Sequence, residues 1–427
     1  MIIPEKRELS MGKIVINGGK RLTGEVKISG SKNASLPILI ATLLTEEQCF
    51  IENVPQLEDI NTVINLLESL GKKVMTVKNA ITVTQAEKPG TEAPYEIVSK
   101  MRASVLVMGP LLSRFKKVQI SLPGGCEIGL RPINIHLDGF KKMGAKCNMS
   151  HGNVSLKSQK LSNSRIVLDF PSVGATENLL MAATLVEGET LIENAAMEPE
   201  IEDLANFLKK MGARISGAGS KTIIINGVKK LAGAEYTVMP DRVEAGTYMI
   251  SSAITGGAVK VMGSVYEHNE SLINKIKLSG VRVTLGSGIV RIKGSRNVKP
   301  VDAETLVYPG FPTDLQPMWM ALMTTASGES LITETVFENR FQTIAEFARM
   351  GADIKLKGNC AVVKGVKKLN GARVCASDLR SAAALILAGL SASGQTEVKG
   401  LEHLDRGYEN IVHKLKKLGA DIKRVEE

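Results

Sequence analysis

Aromatic side chains are scarce in this chain, at 4% of residues with a single tryptophan. A core must therefore be built from Ala, Val, Ile and Leu. The longest apolar stretches, such as Ala382–Leu390, fall far short of the roughly 18 residues that a membrane-spanning helix needs. The five cysteines are odd in number and form no C-x-x-C pair, which argues against a disulfide framework and a structural zinc site. No charged-then-apolar leader opens the sequence, so a reducing cytoplasmic setting is expected. Also missing are a G-x-x-x-x-G-K-[ST] loop, a G-x-G-x-x-G turn opening a βαβ unit, an H-E-x-x-H pair and an EF-hand loop. ATP hydrolysis, dinucleotide redox chemistry and metal-dependent hydrolysis are disfavoured accordingly.

What is present reads as an ordinary globular protein, 44% hydrophobic and 23% charged, with 427 residues that suggest two or three domains. Residues 1–10 look like a short polar extension. The 54 basic and 44 acidic residues leave a net charge of +10. That favours anionic partners, whether nucleic acid, a membrane surface or phosphorylated small molecules.

One short pattern recurs: an apolar helix end, a glycine, often a basic residue, then a β-branched strand. Its glycines are Gly71, Gly144, Gly212, Gly280, Gly351 and Gly419, spaced 73, 68, 68, 71 and 68 residues apart. The pattern predicts a helix closed by a left-handed glycine that feeds a strand. Each repeat also holds a nearly all-apolar segment, around 33–44, 103–112, 176–185, 245–254, 315–325 and 379–390. Such segments predict helices buried on every side. A repeat of about 70 residues therefore reads as two helices and about four short strands; three repeats make a domain of ordinary size and six make two, the alternative being a single long α/β solenoid.

Unusual residues stand at the starts of the buried helices: Lys32 and Asn33, Arg102, Ser172-Val173-Gly174, Asp241-Arg242, Asp314, and Asp378 with Arg380. Ser, Asp and Asn are common N-caps. Helix N-termini combined with basic side chains also suit anions. The stretch Leu122-Pro123-Gly124-Gly125-Cys126-Glu127-Ile128-Gly129-Leu130-Arg131-Pro132 is a loop by composition. A loop cysteine with Arg131 nearby suits a nucleophile or a general acid. Cys49, Cys147, Cys360 and Cys375 lie in or beside apolar strand-like runs and are expected in the core. His136 stands alone, as hydrogen-bonded structural histidines do. Asp314, after Tyr308-Pro309-Gly310-Phe311-Pro312-Thr313, is either an N-cap or an acid–base group, held as an anion and hence a weak base. Arg406, in the stretch His403–Glu409 that is expected to open the last helix, suits a carboxylate or phosphate unless it pairs with Asp405 or Glu409.

From about Gly19 to Arg424 these residues resemble the enolpyruvyl transferases. The motifs are Ser29-Gly30-Ser31-Lys32-Asn33-Ala34, Lys100-Met101-Arg102-Ala103-Ser104, Pro123-Gly124-Gly125-Cys126 and Ser172-Val173-Gly174-Ala175-Thr176. They continue as Glu193-Asn194-Ala195-Ala196, Pro240-Asp241-Arg242, Phe311-Pro312-Thr313-Asp314, Thr333-Glu334-Thr335, Phe337-Glu338-Asn339-Arg340 and His403-Leu404-Asp405-Arg406-Gly407-Tyr408.

The resemblance implies an α/β fold of two domains, an inside-out α/β barrel with three βαβαββ repeats in each and the ligands in the cleft between them. It places one domain at 32–239 and the other at 1–31 plus 240–427. It implies addition–elimination on phosphoenolpyruvate, with UDP-N-acetylglucosamine as acceptor through its 3′-hydroxyl, a tetrahedral ketal and loss of phosphate. That would begin bacterial cell-wall precursor synthesis. Cys126 matches the general acid, which can also bond covalently to phosphoenolpyruvate. Asp314 matches the group that contacts the attacking hydroxyl. Lys32, Arg131 and Arg406, with Asn33 beside them, match the phosphoenolpyruvate site. Asn33, Arg102, the run Arg131-Pro132-Ile133-Asn134-Ile135, Ser172, Val173, Gly174 and Val336 match the nucleotide-sugar site, and Arg340 and Arg380 are further candidates. No metal, organic cofactor, nucleic acid, membrane or obligate protein partner is implied. Three positions depart from the pattern: Asn134 replaces an Asp, Phe170 a Lys and Met197 an Arg. Two alternatives stand beside this reading. A shikimate 3-phosphate enolpyruvyl transferase would share the fold but lack the Cys126 loop. A basic repeat clamp on nucleic acid would need neither Cys126 nor Asp314, and would show salt-dependent DNA retention.

Overall fold

The computed structural model describes residues 12–122, 133–295 and 297–426. Contacts gather them into two compact units, one of residues 29–122 and 133–241, the other of residues 12–28 and 242–426. Each unit encloses its own aliphatic core, as the scarcity of aromatics requires.

Six four-stranded sheets share one pairing pattern among the described residues. In one of them Arg165–Val167 runs parallel to Glu189–Glu193. Glu189–Glu193 pairs antiparallel with Thr222–Asn226, which pairs antiparallel with Arg214–Ser216. The six repeat glycines all have positive φ, between 82° and 101°, so each ends its helix in the left-handed conformation that glycine adopts without a Cβ penalty.

Three sheets belong to each unit, and three of the six take one strand from a distant part of the chain. Thr23–Lys27 pairs parallel with Ala258–Met262, and Glu235–Thr237 pairs parallel with Cys49–Glu52. The last sheet is completed by Lys13–Asn17, which lies antiparallel between Gln395–Lys399 and Asp421–Val425.

The all-apolar segments form the buried helices. In one unit Arg242–Ile254, Gln316–Met323 and Leu379–Ser391 pack on one another. In the other, Lys32–Ala41, Met108–Phe115 and Val173–Ala183 form the corresponding layer with the 3₁₀ turn Arg102–Val107. Two of the expected helices are broken by proline. Pro110 and Pro317 cannot donate to the preceding turn, so tighter 3₁₀ turns at Arg102–Val107 and Thr313–Leu315 precede Met108–Phe115 and Gln316–Met323. Three side-chain caps are present, and two of them, Ser172 and Asp378, are residues marked at helix starts in the sequence. Ser31 and Ser172 accept the N–H groups of Ala34 and Ala175, and Asp378 forms a capping box with Ser381.

Two expectations need correction. Cys375 is exposed, Cys147 and Cys360 are half-buried, and only Cys49 is a core residue among these four. Cys375 ends the strand Arg373–Cys375, where Val374 takes the inward phase and its neighbours face out. The stretch His403–Glu409 does not open the last helix. It spans the end of the short helix Leu401–Leu404 and the turn before Ile411–Lys417.

Candidate active site

Cys126, Arg131 and Pro132 lie outside the described residues. The other candidates fall into a group in each unit.

In the unit of residues 29–241, Lys32 is the first residue of the helix Lys32–Ala41. Its Nζ lies 3.2 Å from Asp59 Oδ2, and both side chains are mostly buried. Asp59 sits in the first turn of Glu58–Ser69, where a carboxylate also suits the helix dipole. Lys32 is thereby aimed without being neutralised at its two remaining N–H bonds. Asp241 does more than precede its own helix, because its carboxylate accepts the backbone N–H of Lys32 at 3.2 Å. The two stretches of chain meet here at an antiparallel bridge, Gly30↔Pro240. Only glycine fits at position 30, since a Cβ there would stand 1.6 Å from the carbonyl oxygen of Asn53.

Arg102, the 133–135 segment and Ser172–Gly174 converge around His136. Arg102 begins its 3₁₀ turn and Asn134 begins the helix Asn134–Lys142. Gly174, the second residue of Val173–Ala183, packs against the His136 ring. The N–H groups of Val173 and Gly174 precede the first intrahelical bonds. Asn178 fixes the ring. Its Oδ1 accepts the Gly109 N–H at 2.6 Å, and its Nδ2 donates to Val105 O at 2.9 Å and meets His136 Nδ1 at 3.0 Å. With the amide so oriented, Nδ1 accepts and the proton of neutral His136 rests on Nε2. Burial, helped by the nearby Arg102 charge, pushes the His136 pKa down to about 4. This group therefore combines a fixed cation, helix-terminal N–H groups and a neutral imidazole, a set of donors suited to a diphosphate. Asn134 and Phe170 are both exposed beside it.

In the unit that contains residues 242–426, Asp314 caps no helix. It lies inside the turn Thr313–Leu315, whose N-cap is Pro312. Its carboxylate is gripped by two guanidinium groups: Arg340 Nη2 is 2.5 Å from Oδ1, and Arg380 Nη2 is 2.8 Å from Oδ2. Both arginines are buried while Asp314 stays partly open. Arg380 also lies over the Tyr408 ring, whose hydroxyl meets Thr247 Oγ1 at 2.8 Å. Two cations favour the carboxylate form and make it a weak base, matched to a proton that arrives only as a bond forms. Val336 is close by through a shared partner, since its N–H and the Thr313 hydroxyl both donate to Glu334. Arg406 is half-buried in the turn after Leu401–Leu404. Its neighbour Asp405 is bound at both oxygens by Arg424, at 2.6 and 2.7 Å.

Asp59, Asn178 and Glu334 were not singled out from the sequence for any role of their own. A signal exists for the first two. Asp59 shares the inward phase of Val63 and Leu66, and Asn178 follows Thr176 and Glu177 as a buried polar residue in a mostly apolar helix. A polar group on such a face needs a buried partner.

A family model described as EPSP synthase (3-phosphoshikimate 1-carboxyvinyltransferase) matches residues 16–415. The chain belongs to this enolpyruvyl transferase family. A family relative from Geotalea uraniireducens (strain Rf4), named UDP-N-acetylglucosamine 1-carboxyvinyltransferase, is 55% identical over 98% of this chain and 100% of its own length. The protein named UDP-N-acetylglucosamine 1-carboxyvinyltransferase 1 from Staphylococcus aureus (strain MRSA252) is 52% identical over the same shares. Among solved structures, the enolpyruvyl transferase NikO from Streptomyces tendae matches with a TM-score of 0.88 and 25% identity, over 98% of this chain and 100% of that one. EPSP synthase from Acinetobacter baumannii matches with a TM-score of 0.76 over 97% of this chain and 100% of that one. At 20% identity that second match speaks for the enolpyruvyl transferase fold alone. No helix among the described residues is long and apolar enough to cross a membrane.

Proposed function

We propose that this chain transfers the enolpyruvyl group of phosphoenolpyruvate to the 3′-hydroxyl of UDP-N-acetylglucosamine and releases phosphate, the committed entry to peptidoglycan precursors. The observation that carries the choice of acceptor is the 55% identity across the full chain to a relative bearing that enzyme's name. The shikimate 3-phosphate alternative has only the shared family model and fold in its favour, and the nucleic-acid clamp has only the charge of +10.

The chemistry is divided between the two groups of residues. The group of Arg102, 133–135 and Ser172–Gly174 binds the nucleotide sugar, its helix-terminal N–H groups facing the diphosphate. Lys32 and Arg406, with Arg131, hold the phosphate and carboxylate of phosphoenolpyruvate. The sugar oxygen bonds to C2 while C3 accepts a proton from Cys126, which gives a tetrahedral ketal. The attacking hydroxyl passes its proton toward Asp314. Loss of a C3 proton and of phosphate restores the double bond. The basic residues stabilise the negative charge that grows on the phosphate as it leaves. The scheme needs no metal or organic cofactor.

The test is phosphate release from phosphoenolpyruvate, with UDP-N-acetylglucosamine and shikimate 3-phosphate in parallel. Release with the nucleotide sugar alone is expected. Release with shikimate 3-phosphate alone overturns the choice of acceptor, and release with neither overturns the reaction.

A further inference from the structure

Glu334 follows the strand Glu329–Thr333 and is only 4% exposed. Its two carboxylate oxygens are divided between two turns. Oε2 accepts the Thr313 hydroxyl at 2.9 Å, at the start of the turn that carries Asp314. Oε1 accepts the N–H groups of Val336 at 2.8 Å and Phe337 at 3.1 Å. It also accepts the Thr305 hydroxyl at 2.7 Å. All four partners donate, and an ionised carboxylate is the side chain that can accept from all of them. A buried charge held by hydrogen bonds alone persists where the surrounding backbone is fixed to receive it. Arg340 closes the far side of the same arrangement, with Nη2 on Asp314 and Nε 3.4 Å from the Thr313 carbonyl.

We infer that Glu334 is a positioning residue, which fixes the Asp314 turn against the Val336 turn so that the acid–base carboxylate is registered to the nucleotide sugar. This rests on the roles given above to Asp314 and Val336. Each oxygen then has a separable effect. The Oε2 bond governs where Asp314 stands, and hence turnover. The Oε1 bonds govern where Val336 stands, and hence binding. A change near 1 Å in the placement of a reacting group costs on the order of 100-fold in rate, so the loss of one hydroxyl contact is measurable.

The test uses the full chain and reads kcat and the KM for UDP-N-acetylglucosamine, with melting temperature alongside. Thr313→Val cuts only the Oε2 bond. It is expected to lower kcat roughly 10-fold or more and to leave KM within about twofold. Glu334→Ala cuts both sets, so kcat falls and KM rises together. Glu334→Gln keeps an oxygen for Val336 and Phe337, while its amide can donate to a reoriented Thr313 hydroxyl; most of kcat and KM returns. A merely structural Glu334 would lower melting temperature without this separation of kcat from KM. The inference is overturned if Thr313→Val keeps kcat within about twofold while Asp314→Asn, run beside it, abolishes turnover. If Asp314→Asn itself retains turnover, the role given to Asp314 has failed instead. Should Glu334→Ala not fold, Thr313→Val decides alone.

Discussion

Replacing His136 by Asn should change the pH dependence of stability more than its size. Asn places an oxygen where Nδ1 now accepts from Asn178, so the bond can survive while the titration is lost. The sign follows from the depressed pKa. His136 titrates at about 4 in the fold against 6.5 when unfolded. Its stabilising share is fully present above pH 6.5 and is lost as pH falls toward 4. The loss between pH 7.5 and 4.5 is RT times the logarithm of the ratio of the two binding polynomials, about 2.5 kcal/mol. Asp203 works in the opposite sense. Its carboxyl, pushed up to about 6 chiefly by burial, loses stability for the fold as pH rises from 3.8. The unsubstituted protein alone therefore gives a flattened curve, and the gap between it and the variant is the quantity to measure. Urea unfolding at pH 7.5, 5.5 and 4.5 supplies it. Far-UV circular dichroism is the right signal, because the one tryptophan, Trp319, belongs to the other unit. The variant should gain about 2.5 kcal/mol on the parent across this range. A gap constant to within about 0.5 kcal/mol would falsify the buried, neutral imidazole.

Asp314→Asn should abolish turnover and also destabilise the fold by roughly 3–5 kcal/mol, because Arg340 and Arg380 are buried and lose their shared anion; an unchanged melting curve would refute the second part. Glu177→Gln should stabilise, increasingly so as pH rises, because burial and then Glu200 and Glu198 hold the Glu177 carboxyl well above its usual range. Melting temperatures at pH 5 and pH 8 check this, and a benefit that shrinks with pH contradicts it. Cys126→Ser should cripple turnover while UDP-N-acetylglucosamine still binds in calorimetry. Fosfomycin, an epoxide mimic of phosphoenolpyruvate, should add its mass to Cys126; adduct on the exposed Cys375 instead would point to unselective alkylation.

Features that depend on one short window were legible. Gly71 and its five counterparts announce themselves because a helix that turns into a strand needs a positive φ, and few residues supply one. Ser172 and Asp378 cap because a free N–H needs an acceptor within three residues. Cys375 is exposed despite its apolar sequence neighbours, because such a neighbourhood covers both faces of a strand and only the sheet decides which face is buried. Partners distant in sequence left weaker marks. Lys32 with Asp59 spans 27 residues and Asp314 with Arg380 spans 66. Nothing in the local pattern of either partner names the other. Glu334 joins two turns through separate oxygens, and no spacing in the motif Thr333-Glu334-Thr335 encodes that division.

The strand Lys13–Asn17 has a consequence for synthesis. It leaves the ribosome long before its neighbours, Gln395–Lys399 and Asp421–Val425. At about 5–20 residues per second, the ribosome needs roughly 20 to 80 s to travel from Ile14 to its partner Val398. Residues 29–241, by contrast, hold all three of their own sheets and can fold while the rest is being made. For that interval Ile14 and Ile16, fully buried at the end, are apolar residues without a sheet. They are a natural place for a chaperone to hold the nascent chain.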